Sequence, residues 1–359
     1  MINVTKTFLP PIDEYQKILQ RAWDKKWVTN RGELLLELEE KLATYLNTSN
    51  FFITTNGTLP LQIALKVLGI KGEVITTPFS YVATTSSIVW EGCTPVFVDI
   101  EEDTLTIDPS KIEAAITDKT EAILATHVFG NPCDVETIDK IAKKYHLKVI
   151  YDAAHCFAVT YKDKSIFEYG DVSTTSFHST KLFHTGEGGA IFANDKTLFD
   201  TLYYHHNFGH NGPLEYHGLG INAKASEMQA AMGLSVLPYM DTIINKRKAL
   251  SECYKEQLQN TDFLTFMKIR DGASMNYSYL PVLFKTEELL LATLESLEKK
   301  EVFPRRYFYP SLNKLPYLEH KKPMPISEKI SGRILCLPLY SELSMEEVTM
   351  ICDTIKQVE

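Results

Sequence analysis

An α/β fold around a mostly parallel sheet is predicted by three observations. Between residues 48 and 195, short β-rich runs alternate with helix-like segments. The runs are apolar along most of their length, the pattern of strands buried on both faces. The chain, at 359 residues and 44% hydrophobic, is long enough to bury such a core and to add a smaller second unit.

In chain order, "GELLLELEEKLATYL" reads as an amphipathic helix, and "FFITT" then leads into "TLPLQIALKVLG" as a first strand and helix. "EVITTP" precedes the helix-like "SYVATTSSIVWEG", "PVFVDI" and "AILATHV" add two strands, "ETIDKIAKKYH" a helix and "KVIYDAA" another strand. Crossovers of this kind join parallel strands, and ligands of open α/β sheets gather at the strands' carboxyl ends. The residues just after each run are therefore the candidates for chemistry. Beyond Ser226 the texture changes to a long helix-rich stretch interrupted at Pro238, followed by "YSYLPVLF", "EELLLATLESLEKK" and "RILCLPLY". The expectation is a large domain over 1–240, with a helical segment at its start, and a small α+β domain over 241–359.

Several function classes are excluded at this level. A net charge of -9 and a pI near 5.7 argue against a nucleic-acid surface. The N-terminal stretch lacks a signal-like apolar core, and no later run approaches the roughly 20 apolar residues of a membrane span; a cytoplasmic protein is expected. Cys93, Cys133, Cys156, Cys253, Cys336 and Cys352 form no CxxC pair and read as reduced, mostly buried side chains. The histidines at 178, 184, 205, 206, 210 and 217 have no carboxylate or cysteine cluster to complete a metal site, so no metal is expected. "GLGINA" does not follow a strand in a crossover unit, which excludes a nicotinamide fingerprint.

The stretch "STTSFHSTKLFHTGEGGAIF" raises the sharper question, because it sets Lys181 among hydroxyls and histidines before a glycine-rich turn. A partly desolvated lysine has a depressed pKa, and its neutral amine forms a Schiff base with a carbonyl. "TTNGTLPLQIAL" places Asn56, Gly57 and Thr58 between a strand and a helix starting near Leu59. That is either an anion site at a helix start or an ordinary turn capped by a hydroxyl. "KVIYDAAHCF" ends a strand in Asp152, with His155 three residues on; the aspartate is placed to hold a positive charge on a bound ring, or to cap the next turn. A lysine for an aldehyde, an acid for a pyridinium nitrogen and an anion site for a phosphate are the fittings that pyridoxal 5'-phosphate requires. Phe79 and Tyr81 in "TTPFSYVATT" offer an aromatic ring to stack on it, Tyr81 being favoured.

These motifs, with "WVTNRGELLLELEEKLATYL", "PVFVDIEEDTLTIDPSKIEAAI", "HVFGNPCDVETIDKIAKKY" and "GINAKASEMQAAMGL", resemble the DegT/DnrJ/EryC1/StrS family of sugar aminotransferases over most of the chain. The resemblance implies a fold-type I pyridoxal-phosphate enzyme with a mostly parallel seven-stranded sheet sandwiched by helices. It implies that Lys181 carries the cofactor, Asp152 pairs with its ring nitrogen, His155 lies near its ring hydroxyl and Tyr81 covers its face. Gly57, Thr58 and Ser176 would bind its phosphate, together with Asn222 of a neighbouring subunit, so a homodimer with shared active sites is expected. Many relatives carry Gln where this chain has His155 and Arg where it has Lys224, and a lysine cannot reproduce a bidentate fork. Related dehydratases replace the Schiff-base lysine with histidine; Lys181 points instead to transamination.

The resemblance further implies L-glutamate as amino donor and a nucleotide-linked ketosugar as acceptor, foremost dTDP-4-keto-6-deoxy-D-glucose. C3 amination of a dTDP-3-keto-6-deoxyhexose is the alternative, and a pyridoxal-phosphate-binding regulatory protein without turnover is the alternative of a different class. Candidate sugar-nucleotide contacts lie in "TNRG", "HHNFGH" and "FPRRYFYPSL". Arg31, Arg305 and Arg306 are placed for a diphosphate, Tyr307 or Tyr309 for a base, and His178 for the substrate.

Overall fold

The computed structural model describes residues 1–319 and 322–358. Its central sheet has seven strands in the spatial order Phe51–Thr54, Gly189–Ala193, Val172–Ser176, Lys148–Asp152, Thr120–Thr126, Glu73–Thr76 and Thr94–Phe97. Successive residues of a strand point to opposite faces, and both faces are apolar here: Val149 and Tyr151 enter one core, Ile150 the other. Helices such as Leu59–Val67 and Val135–Tyr145 cover these faces. The second of these is started by the Asp134 carboxylate, which accepts from Thr137 N–H (3.0 Å), and stopped at His146, whose φ of 56° leaves the helical region.

One strand departs from the parallel pattern. Gly189–Ala193 runs antiparallel to both of its neighbours. The connection that precedes it, 177–188, carries no helix, and without a crossover the chain can return only in the opposite direction. This loop holds Lys181. It is cinched by Phe177 N–H to Gly188 O (2.7 Å), Ser179 N–H to Gly186 O (2.7 Å) and Thr185 N–H to Phe177 O (2.9 Å).

The C-terminal part builds a separate apolar core. Strands Leu264–Phe266, Pro281–Phe284 and Ile334–Cys336 form an antiparallel sheet, covered by helices Glu287–Glu298 and Met345–Lys356. Helix Met240–Leu258 follows a single 3₁₀ turn at Pro238 and joins the two cores. Met240 and Ile243 pack into the large one; Leu250, Tyr254 and Leu258 pack into the small one. Ile2 and Asn3 pair in parallel with Val302 and Phe303, tying the start of the chain to the C-terminal part. All six cysteines are free, and no helix of the described residues is long and apolar enough to cross a membrane.

Candidate active site

The segments that follow the parallel strands converge at one end of the sheet. Asp152, the last residue of its strand, is 6% exposed. Its Oδ2 accepts from Thr84 Oγ1 (2.6 Å) and its Oδ1 from Ala154 N–H (3.1 Å). Burial pushes its pKa up, while the bonds from Thr84 and Ala154 and the charge of Lys181 pull it down. Lys181 is the converse case: burial depresses its pKa, and Asp152 opposes that. Its Nζ donates to Tyr279 Oη at 3.3 Å. His155 is buried, and its Nδ1 accepts from Phe129 N–H (3.0 Å). Burial and the nearby lysine charge keep the imidazole neutral, so its one proton sits on Nε2.

Gly57 and Ser176 come together across neighbouring segments. A Cβ at Gly57 would stand 2.7 Å from Ser176 Cβ, so no larger residue fits. The turn is capped by Asn56, whose Oδ1 accepts from Thr58 N–H and Leu59 N–H, both at 2.9 Å. The Thr58 hydroxyl is thereby released from capping. This is where the sequence predicts an anion site, at Gly57, Thr58, Ser176 and the start of helix Leu59–Val67. Gln229 locks its rim by donating to Thr55 O (3.1 Å) and Glu187 O (2.6 Å).

Tyr81 sits at the start of helix Val82–Trp90 and is 53% exposed, leaving a ring face open. Its ring lies 6.5 Å from that of Phe308. Phe308 stacks in turn near His155 (5.9 Å, 6°). Tyr279 packs on His155 (4.6 Å) and meets Tyr307 edge-on (5.8 Å, 90°). Tyr279, Tyr307 and Phe308 form a roof contributed by the C-terminal part.

The other sequence candidates are distributed unevenly. Arg31 does not reach this cluster within the chain: its guanidinium is forked onto the Glu39 carboxylate, which also accepts from Ile53 N–H (2.9 Å), and lies over Tyr203 (5.2 Å). Asn222 is exposed, and its Oδ1 accepts from Lys224 Nζ (2.7 Å), which also donates to Asn207 (2.9 Å). His178 lies in the lysine loop, with Nδ1 taken by Thr180 (2.8 Å) and Nε2 3.7 Å from Glu187. Tyr309 is exposed, with the Arg306 guanidinium 3.7 Å above its ring; Arg306 also pairs with Glu287. Arg305 lies over Tyr307 (4.7 Å). Thr84, Tyr279 and Phe308 are contacts that sequence reasoning did not single out. Only Thr84 left a signal, as part of a hydroxyl-rich run, "TTSS", in a helix that buries it.

The profile of the DegT/DnrJ/EryC1/StrS aminotransferase family matches residues 12–356. The chain belongs to this family. It is 40% identical to a dTDP-4-amino-4,6-dideoxy-D-glucose transaminase of Shigella dysenteriae, across 100% of this chain and 99% of the relative. The family fold is matched in the crystal structure of DesI, determined in the presence of its TDP-sugar product (TM-score 0.94, 30% identity, 99% of this chain and 92% of the other). A further match is NtdA from Bacillus subtilis with bound PMP (TM-score 0.89, 28% identity, 97% of this chain and 81% of the other). Within this family frame the residues of the site fit pyridoxal phosphate. The fit rests on the cradle that a Cβ at Gly57 would fill and on a buried carboxylate and a desolvated lysine opposite each other.

Proposed function

We propose that the protein transfers the amino group of L-glutamate to dTDP-4-keto-6-deoxy-D-glucose, giving dTDP-4-amino-4,6-dideoxy-D-glucose, with pyridoxal phosphate as cofactor. The observation that carries this is the 40% identity over the whole chain to a transaminase named for that product, together with a lysine at the required place. When bound, pyridoxal phosphate supplies an aldehyde carbon to carry the amino group and a ring to accept electrons.

The chain's own residues supply the rest. Gly57, Thr58 and Ser176 bind the phosphate, and Asn222 of a second copy completes the cradle. Asp152 holds a proton on the ring nitrogen. His155 donates from Nε2 to the ring oxygen, the bond that a glutamine makes through its amide. Tyr81 covers the ring face. Lys181 Nζ, its pKa lowered by burial, takes a proton from the donor's α-carbon and returns one on the other side of the cycle. Two half-reactions sharing one amine predict ping-pong kinetics. A homodimer is supported by the exposed apolar side chains Trp23, Trp27 and Val28 and by Leu214, Tyr216 and Leu219. His178 and Tyr309 are assigned to the sugar nucleotide.

The test incubates purified protein with L-glutamate and, separately, the 4-keto sugar nucleotide and its 3-keto isomer, followed by mass spectrometry. An aminated product from the 4-keto compound alone is expected. Amination of the 3-keto isomer instead moves the reaction to C3; a bound cofactor with no aminated product from either overturns the substrate assignment.

A further inference from the structure

Three hydroxyls are linked in series and end on Asp152. Thr126 Oγ1 donates to Ser80 Oγ (3.0 Å), Ser80 and Thr84 hydroxyls lie 2.7 Å apart, and Thr84 Oγ1 donates to Asp152 Oδ2 (2.6 Å). A hydroxyl has one proton to give. Thr84 spends its proton on the carboxylate, so the bond between Thr84 and Ser80 is donated by Ser80, and Ser80 must then accept from Thr126. All three dipoles therefore point at Asp152. The chain is dry: Ser80 is 1%, Thr84 0% and Thr126 3% exposed. It also crosses three elements, namely the loop after Glu73–Thr76, helix Val82–Trp90 and the end of strand Thr120–Thr126.

We propose that Thr126, Ser80 and Thr84 are positioning residues, a one-way hydroxyl relay that keeps Asp152 ionised and aimed at the ring nitrogen of the cofactor. Among the described residues Asp152 has no arginine partner. Its facing titratable groups are Lys181, from the loop after Val172–Ser176, and the Cys156 thiol. Lys181 must shed its charge to act as a base, and at that moment the relay and Ala154 N–H are the fixed donors left on the carboxylate. Aligned hydrogen bonds in a low-dielectric interior strengthen one another, and bonds to a charged group are the strong class.

The inference rests on the reading that Asp152 meets the ring nitrogen, and the test separates the two. Holoenzyme is reconstituted with pyridoxal phosphate labelled with ¹⁵N in the ring, and the nitrogen shift is read alongside kcat. In the unaltered enzyme the shift should be that of a protonated ring. Thr84→Val, which keeps the shape and removes the final donor, should move it towards the unprotonated value and lower kcat on the order of tenfold, as expected for loss of a bond to a charged group. Thr84→Ser should restore both. Ser80→Ala should act in the same direction but less, and Thr126→Val least. If Thr84→Val fails to hold cofactor, Ser80→Ala, one bond removed, decides. A wild-type shift in the variants, or a larger effect from Thr126 than from Thr84, overturns the relay. An unprotonated ring in the unaltered enzyme overturns the role of Asp152 itself.

Discussion

The floor and the roof of the active site are built in different ways. The floor consists of short segments that leave parallel strands: Gly57 and Thr58, Tyr81, Asp152 to His155, and Ser176 to Lys181. Local bonds close two of them, Asn56 capping the turn at Thr58 and backbone bonds cinching 177–188, while Thr84 reaches Asp152 from a neighbouring helix. The roof, by contrast, is carried by segments far along the chain. Tyr279 is placed by a strap in which Asn276 donates to the carbonyls of His155 (2.9 Å) and Phe157 (2.8 Å), and Arg247 donates to those of Tyr277 (3.3 Å) and Ser278 (3.0 Å). Arg247 is a buried cation with its pKa lowered to about 10 by desolvation; it donates from one terminal nitrogen to carbonyls rather than to a carboxylate, and among the described residues its Nε has no partner. The difference teaches that, on the function proposed here, the floor carries the chemistry, while Tyr279 of the roof holds the lysine amine and packs on the imidazole.

The comparison can be broken most severely at Lys181. Lys181→Ala should lower turnover with glutamate by about 10³-fold or more, at the upper end of what a lost proton-transfer group costs, while circular dichroism shows an unchanged fold. Substantial residual turnover would remove the floor from the chemistry.

Acid provides a second, more graded break. His127, with its pKa lowered to about 3, His206, lowered to about 4, and His155 and His184, also lowered, are held neutral by burial. The unfolded chain takes up protons on them below about pH 6.5. Their contribution is therefore present above that pH and lost as pH falls towards the folded values, at up to about 1.4 kcal/mol per pH unit for each. The raised pKa of Asp152 works the other way, but it is one group against four. Every described histidine precedes residue 218, so hydrogen exchange at pH 4.5 should rise across the large core before it rises in strands Pro281–Phe284 and Ile334–Cys336. Simultaneous loss of protection in both parts would contradict that order.

At smaller scale, Gly57→Ala tests the cradle alone. The added Cβ overlaps Ser176, and cofactor affinity, read by equilibrium titration, should fall by roughly tenfold, the cost of about 1.4 kcal/mol of displacement. Tyr279→Phe tests the roof alone. It removes the acceptor 3.3 Å from Lys181 Nζ and should lower kcat by roughly fivefold, the worth of one ordinary hydrogen bond, with cofactor affinity unchanged. If Tyr279→Phe loosened the cofactor as much as Gly57→Ala, the division between floor and roof would fail.

The same division explains what could be read in the sequence. Lys181, Asp152, His155 and Gly57 follow strand ends, and strand ends are visible as the close of an apolar run. The mostly parallel sheet was legible for the same reason, but the reversal of Gly189–Ala193 was not, because an apolar run carries no direction. Arg31, in "TNRG", reads as a diphosphate contact. Its partner, Glu39, stands on the next turns of the following helix, and the spacing does not tell a forked ion pair from a ligand contact. Tyr279 and Phe308 had no local signature, since "YSYLP" and "YFYPS" read equally well as strand and turn. Tertiary placement brings them there: the strap at Asn276 and Arg247 carries Tyr279 to His155, and packing against Phe79 and Phe129 carries Phe308 to it.

Pairing of Phe51–Thr54 with Gly189–Ala193 joins the earliest and the latest strands of the central sheet. Closing so long a loop costs chain entropy that nearby contacts do not, so this edge should form late as the protein folds, whereas the lysine hairpin beside it can form early. Gly57 meets Ser176 only after that closure. A phosphate held there binds the closed chain and not its open precursor, and mass action then draws the precursor shut. On the function proposed here the cofactor would act as a clasp on the folding chain as well as a reagent, and chains supplied with it during synthesis should reach the native state in higher yield than chains given it afterwards.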